Sequence, residues 1–400
     1  MNKANWRMKT NAGFIRRPSM NDHGINSKLL SVFTRPTLPP RALSIGRKEI
    51  SVAEVRWKKR QLVVGRAAVG AIPDGTIEPS FDGINVKNKS ELTKALRKGI
   101  ESAGLAGQKK WSAVIPQATC QSFILELEHA PKGRKELAQV IEWKVERFVG
   151  MAASELTITV QRLASPGPTP RFFVVVARND VISTYESVWS GLGLQVGSLV
   201  PTNIAEAGWL LMKAGDDDAM LVSLEDETLS MVFARGGDIL ATRAVTCSSD
   251  AVIDEVHRTL VYYQDKLSGS PAEAPATGDT VETVTAPAAS PNGHRLKLVV
   301  LINHNEENPG ASALRVRSSG SGRSDPSTRK PNVEATPDLD SSVADASPFG
   351  RKVETVCREL FVSQPLPTVY SLHEQNLDQD PTVKLSRLAA VVGIASASKR

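Results

Sequence analysis

Apolar positions gather into short runs separated by turn-forming residues, and the runs change from strand-like to helical in an ordered way. "ALSIG" (42–46), "ISVAEVRW" (50–57) and "QLVVGRAAVGAI" (61–72) read as three strands. The loop "PDGTIEPSFDGINV" leads to "NKSELTKALRKGIESAGL", a helix with Ser90 as its N-cap and Gly104 as its stop. "WSAVIP" and "SFILELEHA" read as strands. In "GRKELAQVIEWKVERFVG", Leu137, Val140, Ile141, Val145, Phe148 and Val149 recur at helical spacing, which predicts an amphipathic helix. "ELTITVQRL" and "RFFVVVARN" then pair as strands across the turn-rich "ASPGPTP".

A second half repeats the alternation. "DVISTYESVWSGLGLQVGSLVP" predicts a helix, a glycine-rich turn and a strand, and "TNIAEAGWLLMKAG" a helix capped by Thr202. "AMLVSLEDETLSMVFARGGDILATRAV" is a three-stranded meander, followed by the helix "SSDAVIDEVHRTLVYYQDKL". "HRLKLVVLIN" is a buried strand. A helix over 351–362, a strand near "PTVYSL" and a last helix in "TVKLSRLAAVVGIASAS" end the chain. The fold class that follows is α/β (α+β) with two lobes.

Composition sets the boundaries. Residues 1–40 are polar and basic and read as a disordered arm; 268–293 and 306–348 are rich in Pro, Ser, Ala, Gly or Asp and too poor in apolar residues to offset chain entropy. The compact regions are then 41–267, the strand 294–305 and the closing part 349–400. Within 41–267, a first lobe is followed by an inserted subdomain over about 111–178 and a second lobe over about 179–267.

The net charge of +6 is concentrated in the arm, where Lys3, Arg7, Lys9, Arg16, Arg17, Lys28, Arg35 and Arg41 face Asp22 alone. The arm reads as a solvated tail; contact with an anionic membrane or nucleic acid is its other reading. Its apolar patch "SKLLSVF" is too short to anchor the chain. Cys120, Cys247 and Cys357 lie far apart without CxxC spacing, and the six histidines form no ligand motif, so neither a disulfide framework nor a metal site is expected. No apolar run reaches membrane-spanning length and no signal peptide is legible at the N-terminus.

The order and spacing of these pieces resemble the PilM-like proteins of type IV pilus assembly, a branch of the actin-like ATPase superfamily. The middle carries the likeness most specifically: "WSAVIPQATCQSFILELEHAPKGRKELAQVIEWKVERFVGMAASELTITVQRL", a strand ending in Pro, a second strand and a helix around "IEWKVERF". The resemblance covers about 41–267 and resumes over 295–398. It implies a two-lobed actin-like fold with a small inserted subdomain, at the cytoplasmic face of a bacterial inner membrane. It implies a PilN-like bitopic partner whose cytoplasmic N-terminal peptide is held beside residues 119–160, with pilus motor or platform components as further partners.

The resemblance also marks three segments that would hold a nucleotide, and each departs from the family pattern. The first phosphate loop, "ALSIGRKEISVAEV", keeps Gly46 but has Ser44 in place of the Asp that orders Mg²⁺. The second, "LVSLEDETLSMVF", has Ser223 for Asp and Glu225 for Gly, with Thr228 as its remaining hydroxyl. The adenosine-contacting Gly-Gly is replaced by Asn303 and His304. Losing two or three hydrogen bonds to charged phosphate costs about 3–9 kcal/mol, or about two to six powers of ten in affinity. Ser44, Gly46, Lys48, Ser223, Thr228 and Asn303 are thus expected at a degenerate site, with no cofactor held and no hydrolysis.

Alternatives stay open at this point. Arg47 and Lys48 would serve a retained Mg-ATP site in a working actin-family ATPase, or they are solvated turn charges. The acidic "EDE" (225–227) reads as a solvent-facing hairpin tip. Ser44 and Ser223 lack the partners of a nucleophile. Cys120 and the tryptophans 111, 143, 189 and 209 read as core or groove-lining residues. A nucleic-acid-binding protein acting through the arm is the least favoured reading.

Overall fold

The computed structural model describes residues 39–58, 61–129, 131, 133–163, 169–213, 217–268, 294–305, 314–316, 348–362, 365–372, 376–377 and 380–396. The expectations for the basic arm, the linker 269–293 and most of 306–347 lie outside the described residues.

The first lobe opens with an antiparallel meander of β1 (Arg41–Ile45), β2 (Glu49–Lys58) and β3 (Gln61–Ala71). Helix α1 (Lys89–Ser102) leads to β4 (Lys110–Ile115), which lies parallel to β1. A subdomain then intervenes: β5 (Cys120–Glu126), α2 (Arg134–Val149), β6 (Leu156–Arg162) and β7 (Arg171–Arg178), with strand order β5-β7-β6. Helix α3 (Asn179–Gly191) returns the chain to β8 (Gln195–Pro201), parallel to β4.

The second lobe repeats that plan. Helix α4 (Thr202–Lys213) precedes the meander β9 (Asp218–Glu225), β10 (Thr228–Arg235) and β11 (Asp238–Thr246). Helix α5 (Val252–Tyr262) is followed by β12 (Leu296–Asn303), parallel to β9; β13 (Leu314–Val316) comes next. Helix α6 (Pro348–Leu360) leads to β14 (Thr368–Ser371), parallel to β12. The short β15 (Asn376–Leu377) and β16 (Asp380–Lys384) precede α7 (Leu385–Ser396). The sheet orders β3-β2-β1-β4-β8 and β11-β10-β9-β12-β14 are the same topology used twice.

Strand alternation sorts the core into layers. Leu43 and Ile45 of β1 face α1 and α3, in a cluster with Leu92, Leu96, Tyr185 and Trp189. Met220, Val222 and Leu224 of β9 face α5 and α6, with Val256, Leu260 and Val353. The opposite residues, Ala42 on β1 and Ala219 and Leu221 on β9, turn to a shared layer between the lobes. Helices α4 and α7 fill that layer with Ala205, Ala207, Leu388, Ala389, Val391 and Val392. A helix enclosed by two sheets is apolar nearly all round, and α7 is so. No helix among the described residues is long and apolar enough to cross a membrane.

Four expectations change. The N-cap of α1 is Asn88, whose Oδ1 accepts the Glu91 N–H at 3.1 Å, while Ser90 lies inside the first turn. The subdomain starts at Cys120 instead of 111, because the apolar run of β4 is the central strand beside β1. Helix α3 and β8 belong to the first lobe, so the second lobe begins near Thr202 instead of 179; Tyr185 and Trp189 bury against the first sheet. Finally, β13 lies inside 306–348, expected to be disordered, and pairs its backbone with β3 (Leu314 opposite Val69, Val316 opposite Ala67).

The helix crossing sets a stringent test. A Cβ at Gly393 would stand 2.0 Å from the Ala205 carbonyl oxygen, which is backbone and cannot turn aside. Gly393→Ala is therefore expected to force the lobes apart and cost about 1–3 kcal/mol. At Gly191 nothing lies within 4 Å of the same position, so Gly191→Ala is neutral to slightly stabilising. Chemical denaturation of the two variants checks the contrast; equal stabilities would contradict the packing.

Candidate functional site

Two hairpins meet across the interlobe cleft. On the first lobe, β1 ends in a tight turn where the Gly46 N–H donates to the Glu49 carbonyl at 2.8 Å. On the second, Glu225 and Thr228 close a two-residue turn, and Asp226 takes a left-handed φ of 53° at its tip. Asn305, just beyond β12, clasps that turn: its Oδ1 accepts the Asp226 N–H at 2.7 Å and its Nδ2 donates to the Asp226 carbonyl at 2.6 Å. The hairpins approach closely, since a Cβ at Gly46 would lie 3.4 Å from Glu225 Oε1.

Charged side chains occupy this junction. The Gln117 backbone N–H, in the segment that follows β4, lies close enough to Glu225 to favour its charged form. His304 Nε2 lies 2.6 Å from Glu206 Oε1, and Glu206, on α4, is fully buried. Glu49 pairs with Arg387 at the start of α7, and Ser51 Oγ donates to the Arg387 carbonyl at 2.5 Å. Thr202 Oγ1 donates to the Ile115 carbonyl at 3.1 Å, seating the first turn of α4 against the end of β4. Next to it the Asn203 amide is buried with neither polar atom bonded to the described residues, as is Glu206 Oε2.

These surroundings move two proton equilibria. Burial pushes the Glu225 carboxyl up from its ordinary 4.5 to about 7, helped by Glu206 and Asp226 and opposed by His304. For His304, burial works against the charged ring, but Glu206, Glu225 and Glu49 outweigh it and raise the imidazole from 6.5 to about 9. At neutral pH the imidazolium is an internal cation for the surrounding carboxylates.

The six expected positions lie on the two hairpins and at the end of β12, with different exposures. Ser44 is half-buried opposite Ser51, and Gly46 forms the first turn. Ser223 is buried between Ser230 of β10 and Ile302 of β12, and Thr228 begins β10. Asn303 Oδ1 accepts the Asn305 N–H at 3.0 Å. Lys48 and Arg47 are exposed at the tip. The reading of "EDE" as a solvent-facing tip holds only for Glu227, because Glu225 and Asp226 are drawn into the junction. Trp111, Trp189 and Cys120 are core residues, while Trp143 is 52% exposed.

Glu206, Asn203 and Gln117 were not singled out from sequence. Glu206 left a trace there, as the one carboxylate in the otherwise small and apolar "TNIAEAGWLL". Its partner His304 is 98 positions away, and no local spacing joins them. Among the described residues no group of three or more His, Cys, Asp or Glu side chains is arranged to hold a metal ion.

Comparison with solved structures places the architecture. The chain is similar to the PilM-PilN type IV pilus biogenesis complex at 16% identity and a TM-score of 0.52, covering 67% of this chain and 82% of that one. The cytoplasmic domain of EpsL, an inner-membrane component of the type II secretion system of Vibrio cholerae, matches at 10% identity and a TM-score of 0.37 over 67% of this chain and 83% of that one. The ethanolamine utilization protein EutJ from Carboxydothermus hydrogenoformans matches at 10% identity and a TM-score of 0.37, over 90% and 91%. No protein-family model matches the chain, and no curated protein matches its sequence. At such identities the likeness concerns the fold, and it is the actin-like fold that the order of elements implied.

Both shifted groups hold more protons in the folded chain than in the unfolded one, so their contribution to stability declines as pH rises. Glu225 loses its share from about pH 4.5 through about 7, and His304 from about 6.5 through about 9. Thermal stability is expected to fall across that range, with the upper part of the fall missing in His304→Ala. That variant also leaves Glu206 buried and unpaired, at a cost of about 3–5 kcal/mol near neutral pH. A stability profile that rises from pH 7 to 9 would contradict the assignment.

Proposed function

We propose that this chain is an actin-fold scaffold of a type IV pilus or related secretion machine, and that its nucleotide cleft is degenerate. The observation that carries the second half is Glu225. Where a phosphate loop turns a glycine and backbone N–H groups toward the ligand, this chain sets a carboxylate against Gly46. Phosphate oxygens would meet Glu225, Glu206 and Asp226, and the imidazolium that would attract them is already held by Glu206. The lobes are bridged by side chains of the protein itself, so the fold keeps the two-lobed frame without the ligand chemistry.

The first half rests on the fold, shared with a protein solved as part of a pilus biogenesis complex. On this reading the partner is a PilN-like bitopic membrane protein, and the chain works at the inner face of the bacterial membrane. The subdomain offers a surface suited to an extended peptide with apolar anchors. Phe148, 65% exposed at the end of α2, packs tilted against Phe123 of β5 with ring centres 4.3 Å apart, and Arg147 lies over the exposed Trp143 ring. Ile158 and Val160 of β6 are only partly buried against the subdomain core.

The test is titration of the purified chain with the cytoplasmic N-terminal peptide of the bitopic partner from the same organism, followed by tryptophan fluorescence. Saturable binding is expected, weakened about tenfold or more in Phe148→Asp. Thermal stability should stay unchanged, because Phe148 is largely exposed. No binding by the intact chain would overturn the scaffold reading.

A further inference from the structure

We propose that the end of the first sheet remote from the cleft docks on an anionic lipid surface, with the basic N-terminal arm joining it there. One crowded carboxylate marks the place. Glu54 of β2 is 4% exposed and is approached by three guanidiniums, one from each strand of the meander. Arg66 of β3 holds its Oε2 through Nε at 3.1 Å and Nη2 at 2.8 Å, and its Nη1 donates to the Gly104 carbonyl at 2.6 Å. Arg56 of β2 reaches Oε1 with one nitrogen at 2.9 Å, while its side chain stays 65% exposed. Arg41 Nε lies 3.4 Å from the same oxygen and is buried with no hydrogen-bond partner among the described residues. Burial works against the charged Glu54 carboxyl, but Arg56 and Arg66 outweigh it and hold it below its ordinary 4.5. One negative charge therefore serves three positive ones at neutral pH, and guanidinium donors are left over.

Strand register gathers further charge at this end. Ala42 of β1 lies opposite Ser112 of the parallel β4, so Lys109 and Lys110, both exposed, stand at the same end of the sheet as Arg41. Toward the end of α1, Arg97 and Lys98 are exposed and outnumber Glu101. The Gly46 turn is at the other end of β1, so a surface bound here leaves the cleft uncovered. The arm joins at the same place, because the Val55 N–H, next to Glu54, donates to the Pro40 carbonyl at 2.7 Å. In sequence, the residues before Arg41 carry Lys3, Arg7, Lys9, Arg16, Arg17, Lys28 and Arg35 against Asp22, with the apolar Leu29, Leu30, Val32 and Phe33 between Lys28 and Arg35. A basic face or a short apolar patch alone holds a lipid surface weakly, and the two together hold it more firmly. That pairing selects lipid over nucleic acid, which rewards the charges but gives the aliphatic residues nothing to enter. The inference rests on the proposed place of the chain at a membrane and names the surface by which the chain itself meets it.

The test is co-sedimentation of the full chain with vesicles of about three parts phosphatidylethanolamine to one part phosphatidylglycerol, at about 0.1 M salt. Saturable binding is expected, lost at about 0.5 M salt, with none to vesicles of phosphatidylcholine alone. Lys109→Glu combined with Lys110→Glu should weaken binding about tenfold or more. Thermal stability should be kept, because both side chains are exposed. Arg134→Glu combined with Lys135→Glu makes the same change of net charge on exposed residues at the start of α2 and should alter binding by about twofold at most. No binding to the anionic vesicles, or equal effects of the two double substitutions, would overturn the proposal. Tighter binding to duplex DNA than to the vesicles, at equal salt and phosphate concentration, would overturn it in favour of nucleic acid. The vesicles carry no peptide, so this result and that of the peptide titration fail independently.

Discussion

The close crossing of α4 and α7 is the contact on which the rest of the structure depends. Helix α4 follows β8 of the first sheet, and α7 comes after β14 of the second and the short β15–β16 pair; both pack in the layer shared by the two lobes. Gly393 lets α7 reach the backbone of α4 at Ala205, with no room for a methyl group. Small residues along the crossing, Ala205, Ala207, Ala389 and Ala390, allow two sheets to share one layer. Moving the helices apart would move both hairpins, because Glu206 extends from α4 and Arg387 from α7 into the cleft.

The repeated topology explains where additions were accommodated. In the first lobe the subdomain enters after the fourth strand of the sheet, β4. In the second lobe the segment after the corresponding strand, β12, reaches back as β13 to the outer edge of the first sheet at β3. Both additions leave from the cleft end of parallel strands, where a loop meets no sheet neighbour and extra chain disturbs no ladder. The same ends carry Gln117 and His304, so insertion points and junction residues are neighbours in each lobe.

Much of this was legible in the sequence, for physical reasons that differ from element to element. The meander 219–245 and the amphipathic helix around "IEWKVERF" declare themselves because one face of each is buried, and periodicity reports that directly. The lobe boundary was misplaced by about twenty positions because α3 and β8 look the same whichever sheet they join; pairing is a long-range property. Two capping residues stood two positions apart at the start of α1, and it is the Asn88 side chain that accepts the Glu91 N–H. At the cleft, the replaced glycines and aspartates were visible as substitutions. What the substitutes do was not, since the Glu206–His304 and Glu49–Arg387 pairs join residues distant in sequence.

On the proposed reading the cleft is closed by the chain's own charges: Glu225 is set against Gly46, and Glu49 of the first hairpin pairs with Arg387 of α7. The most direct measurement is a calorimetric titration of the full chain with Mg-ATP, carried to concentrations that resolve a weak site. With Glu225 set against Gly46 and His304 held by Glu206, no heat and no thermal shift are expected at about millimolar nucleotide. Saturable binding at about micromolar Mg-ATP would contradict the degenerate cleft and show that the junction opens to take the nucleotide in.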